Sequence, residues 1–159
     1  TAGKNTIGIA TDRGGFNLDK LVFTAKSGSN TNTNTGNTGT TSATFTIEAE
    51  NYNYMSGVEK AGNCVAYIDP GDWMSYEVNV PSTGTYSVEI RVASAMGSSF
   101  RLEKDSGKEV LANVTVPNTG DWNAYKSVYV EVSLTAGKNT IGIATDRGGF
   151  NIDKLVFTK

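Results

Sequence analysis

Residues 74–80 read Met-Ser-Tyr-Glu-Val-Asn-Val, so apolar side chains alternate with polar ones along the whole stretch. The same alternation recurs at residues 86–92 and 128–134. A period of two puts every second side chain on the same face of a β-strand. The three stretches therefore predict strands with one apolar face and one polar face.

Shorter apolar runs lie on either side of these three. They are residues 45–49, 100–103, 114–116, 140–144 and 152–157. Turn-forming stretches separate the runs at residues 81–84, 105–107, 117–120, 135–137 and 146–149. No segment keeps a 3.6-residue apolar period. The pattern predicts an all-β protein with little helix, folded as an antiparallel two-sheet β-sandwich or jelly roll.

The composition of the 159 residues excludes several kinds of chemistry. The sequence has 14 basic and 16 acidic residues, which argues against a nucleic-acid partner. No apolar run reaches the length of about 18 residues that a membrane span needs. There is no histidine, so His-containing triads and His metal sites are excluded. The single cysteine, Cys64, forms no intramolecular disulfide and is expected to be a small buried hydrophobe rather than a nucleophile.

An internal repeat sets the domain organisation. Residues 1–24 match residues 135–158 except for Leu18 in place of Ile152. Residues 25–43 are almost entirely Thr, Asn, Gly and Ser, which is typical of a flexible linker. We expect residues 1–24 to be the C-terminal remnant of a preceding module of the same type, and residues 44–159 to be a complete module. The first copy is either an inert cloning remnant or a segment that competes for the matching strands of a neighbouring chain, as in domain swapping.

Three aromatic residues are candidates for ligand contact. Trp122 follows the turn at 117–120, outside the alternating runs, where its flat face is available for a sugar ring or folds back over the sandwich. Tyr67 lies near a loop and is either a sugar contact or a core residue. Trp73 opens the strand at 74–80, and burial or partial burial is favoured for it. Asn151 carries amide donors and acceptors that suit sugar hydroxyls, although a turn asparagine often bonds its own backbone.

Two sets of carboxylates suggest different chemistry. Glu48 and Glu50 flank Ala49 in a predicted strand and so share a face, where they repel unless a cation joins them; Asp153 is a third candidate oxygen ligand for Ca²⁺. The alternative is a solvated polar face. Asp69 and Asp72 could form the carboxylate pair of a small glycosidase, but both lie in a Pro-Gly turn where Asp usually bonds the backbone.

Several of these segments together resemble family 6 of the carbohydrate-binding modules. The similarity covers nearly all of residues 45–158, and residues 1–24 resemble the last part of the same family. The segments that carry it are Ile47–Tyr52, Ser56–Glu59, Val65–Tyr76, Val80–Tyr86, Arg91–Ser94, Val116–Trp122 and Gly148–Asp153.

The resemblance implies a non-catalytic β-sandwich attached to a secreted or cell-surface enzyme that degrades polysaccharide. It implies that Tyr67 and Trp122 hold a sugar ring between them in a cleft at one end of the sandwich, with Asn151 and Glu59 as polar partners. It places a structural calcium at Glu48, Glu50 and Asp153, and in some members a second cleft uses the residue equivalent to Trp73.

The sequence gives the least direct evidence about which polysaccharide the module binds. The Asn/Thr/Gly linker and the near-identical tandem modules are similar to those of marine agarases, which favours the ends of agarose chains as the ligand. Xylan and β-glucan remain alternatives within the family. Outside it, the alternatives are a small carboxylate-based glycosidase and a purely structural spacer or adhesion domain.

Overall fold

The structure, a computed structural model, describes residues 43–159. The predictions for residues 1–24 and for the linker, apart from its last residue Ala43, lie outside this range. The described part contains eleven strands and one short 3₁₀ helix, Ala49–Asn51, and no α-helix. None of its helices is long and apolar enough to cross a membrane.

The first sheet contains both ends of the module. β1 and β4 lie along one edge of β11, and β6 lies along the other, with every pairing antiparallel. In spatial order, the sheet consists of β3 (Glu59–Lys60), β4 (Val65–Ala66), β11 (Asn151–Thr158), β6 (Gly84–Ala93) and β9 (Lys126–Leu134), with β1 (Thr44–Glu48) beside β11.

The second sheet is built around β10, which is the longest strand of the described part. β5 and β7 pair with its two edges, again antiparallel. In spatial order, the sheet consists of β2 (Tyr54–Ser56), β5 (Trp73–Val80), β10 (Gly137–Arg147), β7 (Ser98–Lys104) and β8 (Glu109–Val116).

The core lies between the sheets and follows the alternation of the sequence. Tyr86, Val88, Ile90 and Val92 are all fully buried, while the residues between them face outward. Phe157 stacks on Phe45 with ring centroids 4.4 Å apart, which joins β11 to β1. The predicted β-sandwich with little helix is confirmed.

Two details differ from the sequence prediction. The short strands β2, β3 and β4 were not predicted, because segments of two or three residues are too short to show a period. β1 ends at Glu48, and Glu50 lies in the 3₁₀ helix that follows. The expectation that Glu48 and Glu50 share a strand face is therefore wrong, because the chain leaves the extended conformation at the buried Ala49.

Tyr86 joins the turn before β6 to the core. Its hydroxyl donates to the Ser82 carbonyl at 2.6 Å and accepts from the Ser82 N–H at 3.3 Å. Tyr86→Phe leaves these backbone groups without that partner, so we expect the free energy of unfolding to fall by about 1–2 kcal/mol. Tyr129→Phe is the control, because Tyr129 is 65% exposed. Urea denaturation of both variants measures the difference, and equal stabilities would contradict the role assigned to Tyr86.

Candidate functional site

A cleft of about 490 Å³ opens at one end of the sandwich, and we call it the end cleft. Four chain segments meet there: the β3–β4 loop, the start of the β4–β5 loop, the β8–β9 loop and the β10–β11 loop. Its lining residues are Ala61, Ala66, Tyr67, Ile68, Asp69, Trp122, Asn123, Gly149, Phe150 and Asn151. The structure therefore brings Tyr67, Trp122 and Asn151 together, as the sequence analysis expected.

Tyr67 is held in an unusual backbone conformation that displays its ring. Its φ is +52°, in the left-handed region that non-glycine residues rarely adopt, and its side chain is 72% exposed. A large aromatic residue in this region costs of order 1–3 kcal/mol, and such outliers cluster at ligand sites. The alternative that Tyr67 is a core residue is wrong.

Two adjacent glycines let the β4–β5 loop lie directly on the β10–β11 loop. A Cβ at Gly148 would be 2.5 Å from the Ile68 carbonyl oxygen and 2.7 Å from the Asp69 Cα. The Gly149 N–H donates to that same Ile68 carbonyl at 2.8 Å. This contact fixes the backbone immediately after Tyr67.

Trp122 is 39% exposed and is held through its own backbone. The Asn151 side-chain amide donates to the Trp122 carbonyl oxygen at 2.9 Å. Asn151 therefore bonds another loop rather than its own turn, and it ties that loop to β11. The indole ring lies beside Gly149, with its Cη2 atom 3.8 Å from where a Gly149 Cβ would stand.

The buried Ser94 forms hydrogen bonds with both the β8–β9 loop and the β10–β11 loop. Its hydroxyl donates to the Gly149 carbonyl at 2.6 Å and accepts from the Gly97 N–H at 2.9 Å. Its backbone N–H donates to the Thr119 hydroxyl at 2.9 Å, and its carbonyl accepts from the Thr119 N–H at 2.7 Å. The β8–β9 and β10–β11 loops are thus bonded to one residue, so the wall carrying Trp122 is preorganised.

A polar cluster adjoins Asn151. Burial is the main cause that raises the pKa of the Tyr125 hydroxyl. A hydrogen bond with Cys64 raises this pKa further, and a hydrogen bond with Asn151 lowers it. Cys64 is half-buried, and its thiol donates to the Ala61 carbonyl at 3.1 Å, so it is not the buried hydrophobe that the sequence favoured. The Arg91 guanidinium lies 5.4 Å from the centroid of the Tyr125 ring.

Glu59 is placed less closely than the other predicted contacts. It is exposed in β3, directly opposite Ala66, which lines the end cleft, but Glu59 itself is not among the lining residues. The sequence analysis missed Asn123 and Phe150 in the lining and Met96 beside it. Met96 is 66% exposed, and its sulfur lies 3.5 Å from the position of a Gly149 Cβ. The Gly-Gly pair was the sequence signal for such close packing.

Trp73 lies on the outer face of the second sheet, 41% exposed, so it is only partly covered. It lines a separate hollow of about 420 Å³, which we call the face hollow. Arg101 and Glu103 line the same hollow, and Arg101 Nε is 3.4 Å from Glu103 Oε1. The outward direction of Trp73 follows from its phase, since Met74 beside it is fully buried.

The proposed glycosidase pair is not a catalytic arrangement. The Asp72 carboxylate accepts the Asp69 N–H at 2.8 Å, and the Asp72 N–H donates to the Asp69 carbonyl at 3.1 Å. A Cβ at Gly57 would overlap the Asp72 carboxylate, so the Asp72 side chain packs directly against the backbone of Gly57. Asp72 closes the turn that follows Tyr67.

The predicted calcium ligands do not form one group. Asp153 pairs with Arg91 at 3.1 Å, and residues 43–159 contain no cluster of three or more acidic, Cys or His side chains able to hold a metal. One observation nevertheless fits a cation: Glu50 Oε2 is buried and has no hydrogen-bond partner. Together with burial, the charge of Glu50 raises the pKa of the nearby Tyr76, whose hydroxyl donates to the Ala49 carbonyl at 2.8 Å. Of the three predicted ligands, Glu50 is therefore the one whose surroundings fit an ion.

The end cleft is lined by two exposed aromatic rings, side-chain amides and a single carboxylate, Asp69. A β-sandwich with an open cleft of this kind is the arrangement expected of a carbohydrate-binding module. The sequence profile of carbohydrate-binding module family 6 matches residues 48–159, and the chain belongs to that family.

Individual relatives agree with this assignment. The chain is 41% identical to the C-terminal family 6 module of a marine laminarinase from Zobellia galactanivorans, covering 73% of this chain and 99% of that one with a TM-score of 0.70. A family 6 module from Cellvibrio mixtus lichenase 5A, in complex with cellotriose, is 36% identical with a TM-score of 0.68, covering 72% and 96% of the two chains. A beta-agarase from Microbulbifer thermotolerans is 38% identical over 71 residues, 45% of this chain.

The chain spans only 16% of the length of that agarase. Its similarity therefore concerns a module of a larger enzyme. Family membership makes this chain a non-catalytic carbohydrate-binding module of the kind appended to glycoside hydrolases.

Proposed function

We propose that this module targets a glycoside hydrolase of the same parent chain to agarose by holding the terminal sugar ring of an agarose chain between Tyr67 and Trp122. The observation that supports the proposal is the exposed Tyr67 ring, which is held at φ +52° and lines the same cleft as Trp122. The strained backbone carries an exposed side chain and not a core one, which fits a role in ligand contact.

The chemistry of the end cleft suits an uncharged sugar. A ring packs its C–H groups against aromatic faces, as other apolar groups do. The side-chain amides of Asn123 and Asn151 and the carboxylate of Asp69 offer donors and acceptors for hydroxyls. A hollow walled by four segments accommodates a chain end more readily than an unbroken chain.

Agarose is supported by the similarity to the beta-agarase. A β-glucan is the second candidate, because two of the similar structures are modules of a laminarinase and a lichenase, the latter in complex with cellotriose. Xylan is a third, since a family 6 module from Clostridium cellulolyticum in complex with xylose is 28% identical to this chain.

Calorimetric titration with oligosaccharides of agarose, laminarin, cellulose and xylan tests the proposal. We expect agarose oligosaccharides to bind with a Kd of roughly micromolar to millimolar, which is about 4–8 kcal/mol. Binding of another class alone would reassign the ligand. The absence of binding by every oligosaccharide in the panel would contradict carbohydrate binding at the end cleft.

The biological effect proposed is proximity. Binding raises the concentration of the attached catalytic domain at the polysaccharide, and a second module in the same parent chain adds avidity. This role requires the parent to be secreted or displayed at the cell surface, where the polysaccharide is. Trp73 in the face hollow provides a second place for sugar contact.

We also propose that Ca²⁺ binds at Glu48 and Glu50 and stabilises the module. If Asp153 also binds the ion, it gives up its salt bridge with Arg91. At a calcium concentration about a hundred times Kd, the ion adds about 2.7 kcal/mol, so removing it with EDTA is expected to lower Tm by roughly 10 °C. Glu50→Gln is the control, since it should start at the lower Tm and respond little to EDTA. An unchanged Tm after metal removal, checked by elemental analysis, would contradict the site.

A further inference from the structure

Met96 is an exposed apolar side chain that the proposed contact of a sugar with Tyr67 and Trp122 leaves without a role. It lies in the loop between β6 and β7 and is 66% exposed. Among the large apolar side chains of residues 43–159, only Tyr67 is more exposed. Because burial stabilises a side chain in proportion to the apolar area removed from water, Met96 contributes little to the core.

The backbone of Met96 is hydrogen-bonded to the frame of the end cleft. The Ser94 hydroxyl accepts the Met96 N–H at 3.3 Å and the Gly97 N–H at 2.9 Å. The same hydroxyl donates to the Gly149 carbonyl at 2.6 Å. One buried side chain therefore joins the β6–β7 loop to the β10–β11 loop, so the exposure of Met96 follows from its placement and not from fraying of its loop.

Met96 and Trp122 lie against the same residue of the end cleft. A Cβ at Gly149 would stand 3.5 Å from the Met96 sulfur and 3.8 Å from the Trp122 Cη2 atom. Gly149 lines the end cleft, whereas Met96 borders it from outside the lining. A Cβ at Gly148 would instead meet the segment that follows Tyr67. Met96 therefore lies at the rim of the end cleft, on the side that carries Trp122.

The thioether of Met96 suits contact with a sugar ring. Methionine is unbranched and its sulfur is polarizable, so it adapts to an irregular surface and also packs well beside an aromatic ring. A chain whose terminal ring lies between Tyr67 and Trp122 has its second ring joined directly to the first, at the rim of the cleft. Met96 continues the apolar surface of Trp122 to that rim.

We infer that Met96 is a specificity-determining residue of the end cleft and packs against the second sugar ring of a bound chain end. This inference rests on the proposed function and deepens it, because the site then contacts two consecutive rings instead of one. Tyr67 and Trp122 hold the terminal ring, and Met96 adds an apolar contact only when a second ring is present. A disaccharide therefore binds more tightly than its terminal monosaccharide.

NMR titration of the full chain with paired monosaccharides and disaccharides tests the inference, with the Trp122 indole N–H as the reporter. The pairs are galactose with agarobiose, glucose with laminaribiose, and xylose with xylobiose. Met96→Ala should raise the Kd of the bound disaccharide about threefold to tenfold and leave that of its monosaccharide within about twofold. Met96→Leu should keep both affinities, since it retains an apolar side chain of similar volume.

Met55→Ala is the matched control. It truncates another exposed methionine, which lies in β2 and does not line the end cleft. Both Kd values should equal those of the unchanged chain. Thermal denaturation of every variant verifies the fold, and Met96→Ala should keep its Tm because the side chain is mostly in water.

Oxidation of Met96 supplies a second readout that needs no substitution. Hydrogen peroxide transfers one oxygen atom to the sulfur: the O–O bond breaks, an S–O bond forms, the sulfur loses two electrons and the peroxide leaves as water. The sulfoxide is polar, so the disaccharide affinity should fall about threefold to tenfold, and methionine sulfoxide reductase should restore it. Peroxide-treated Met96→Leu retains Cys64 and Met55 and should keep its affinity. Peptide mass spectrometry locates the added oxygen.

Three results would overturn the inference. They are a disaccharide that binds no more tightly than its monosaccharide, equal losses of both probes in Met96→Ala, and full disaccharide affinity in Met96→Ala. If the unchanged chain binds the disaccharide in any of these cases, the role of Met96 is refuted and the proposed function stands. If no saccharide binds the unchanged chain, the proposed function fails and the inference fails with it.

Discussion

Trp122→Ala is expected to lower the affinity for the cognate oligosaccharide by about 30-fold to 1,000-fold, which corresponds to about 2–4 kcal/mol. Trp122 supplies one of the two aromatic walls of the end cleft, and an indole ring buries a large area against a ligand. From a micromolar Kd, this loss leaves a Kd of about 30 μM to 1 mM, and from a millimolar Kd it removes binding from the calorimetric range.

The fold should survive this change. Trp122 is 39% exposed, and its bond with Asn151 uses the backbone carbonyl, which alanine retains. Circular dichroism and Tm should therefore match those of the unchanged chain. Tyr129→Ala is the matched control, because it removes an exposed aromatic ring that lines neither the end cleft nor the face hollow. A folded Trp122→Ala chain with full affinity would reject the end cleft as the main site.

Gly148→Ala is expected to reduce both stability and affinity. Its methyl group would stand 2.5–2.9 Å from backbone atoms of Ile68 and Asp69, and a backbone neighbour cannot rotate away as a flexible side chain can. The overpacking should cost about 1–3 kcal/mol of unfolding free energy. Because the displaced segment follows Tyr67 directly, we expect at least a tenfold loss of sugar affinity in the chain that remains folded.

Gly142→Ala is the control for this substitution. A Cβ there meets nothing closer than 3.7 Å, and the backbone of Gly142 does not need a positive φ. The free energy of unfolding of Gly142→Ala should equal or exceed that of the unchanged chain, since alanine restricts the unfolded state more than glycine does. Chemical denaturation and calorimetry of both variants measure the difference. Equal behaviour of the two would show that the loop contact at Gly148 does not position Tyr67.

The sequence predicted the strands well because their alternation reports a physical requirement. Each sheet has one face on the core, so β5, β6 and β9 must repeat with a period of two. The short strands β2, β3 and β4 carry no such repeat and depend on their partners: β2 pairs with β5, β4 pairs with β11, and β3 pairs with β4. The conversion of Ala49–Asn51 to a 3₁₀ helix likewise depends on tertiary packing around the buried Ala49.

The candidate site was predicted in part. Motif positions identified Tyr67, Trp122 and Asn151, and the structure gathers them in one cleft. The left-handed backbone of Tyr67 could not be predicted, because only the surrounding loops hold a tyrosine in that conformation. The pairing of Asp153 with Arg91 depends on two neighbouring strands, so local spacing could not reveal it.

The central claim is that a sugar ring lies between Tyr67 and Trp122. NMR titration of the full chain tests it most directly, because the chain has only two tryptophans and their indole N–H signals are assigned by Trp73→Phe and Trp122→Phe. We predict that a short agarose oligosaccharide shifts the Trp122 signal saturably and leaves the Trp73 signal in place. Saturable binding of any oligosaccharide that leaves the Trp122 signal unmoved would contradict the account.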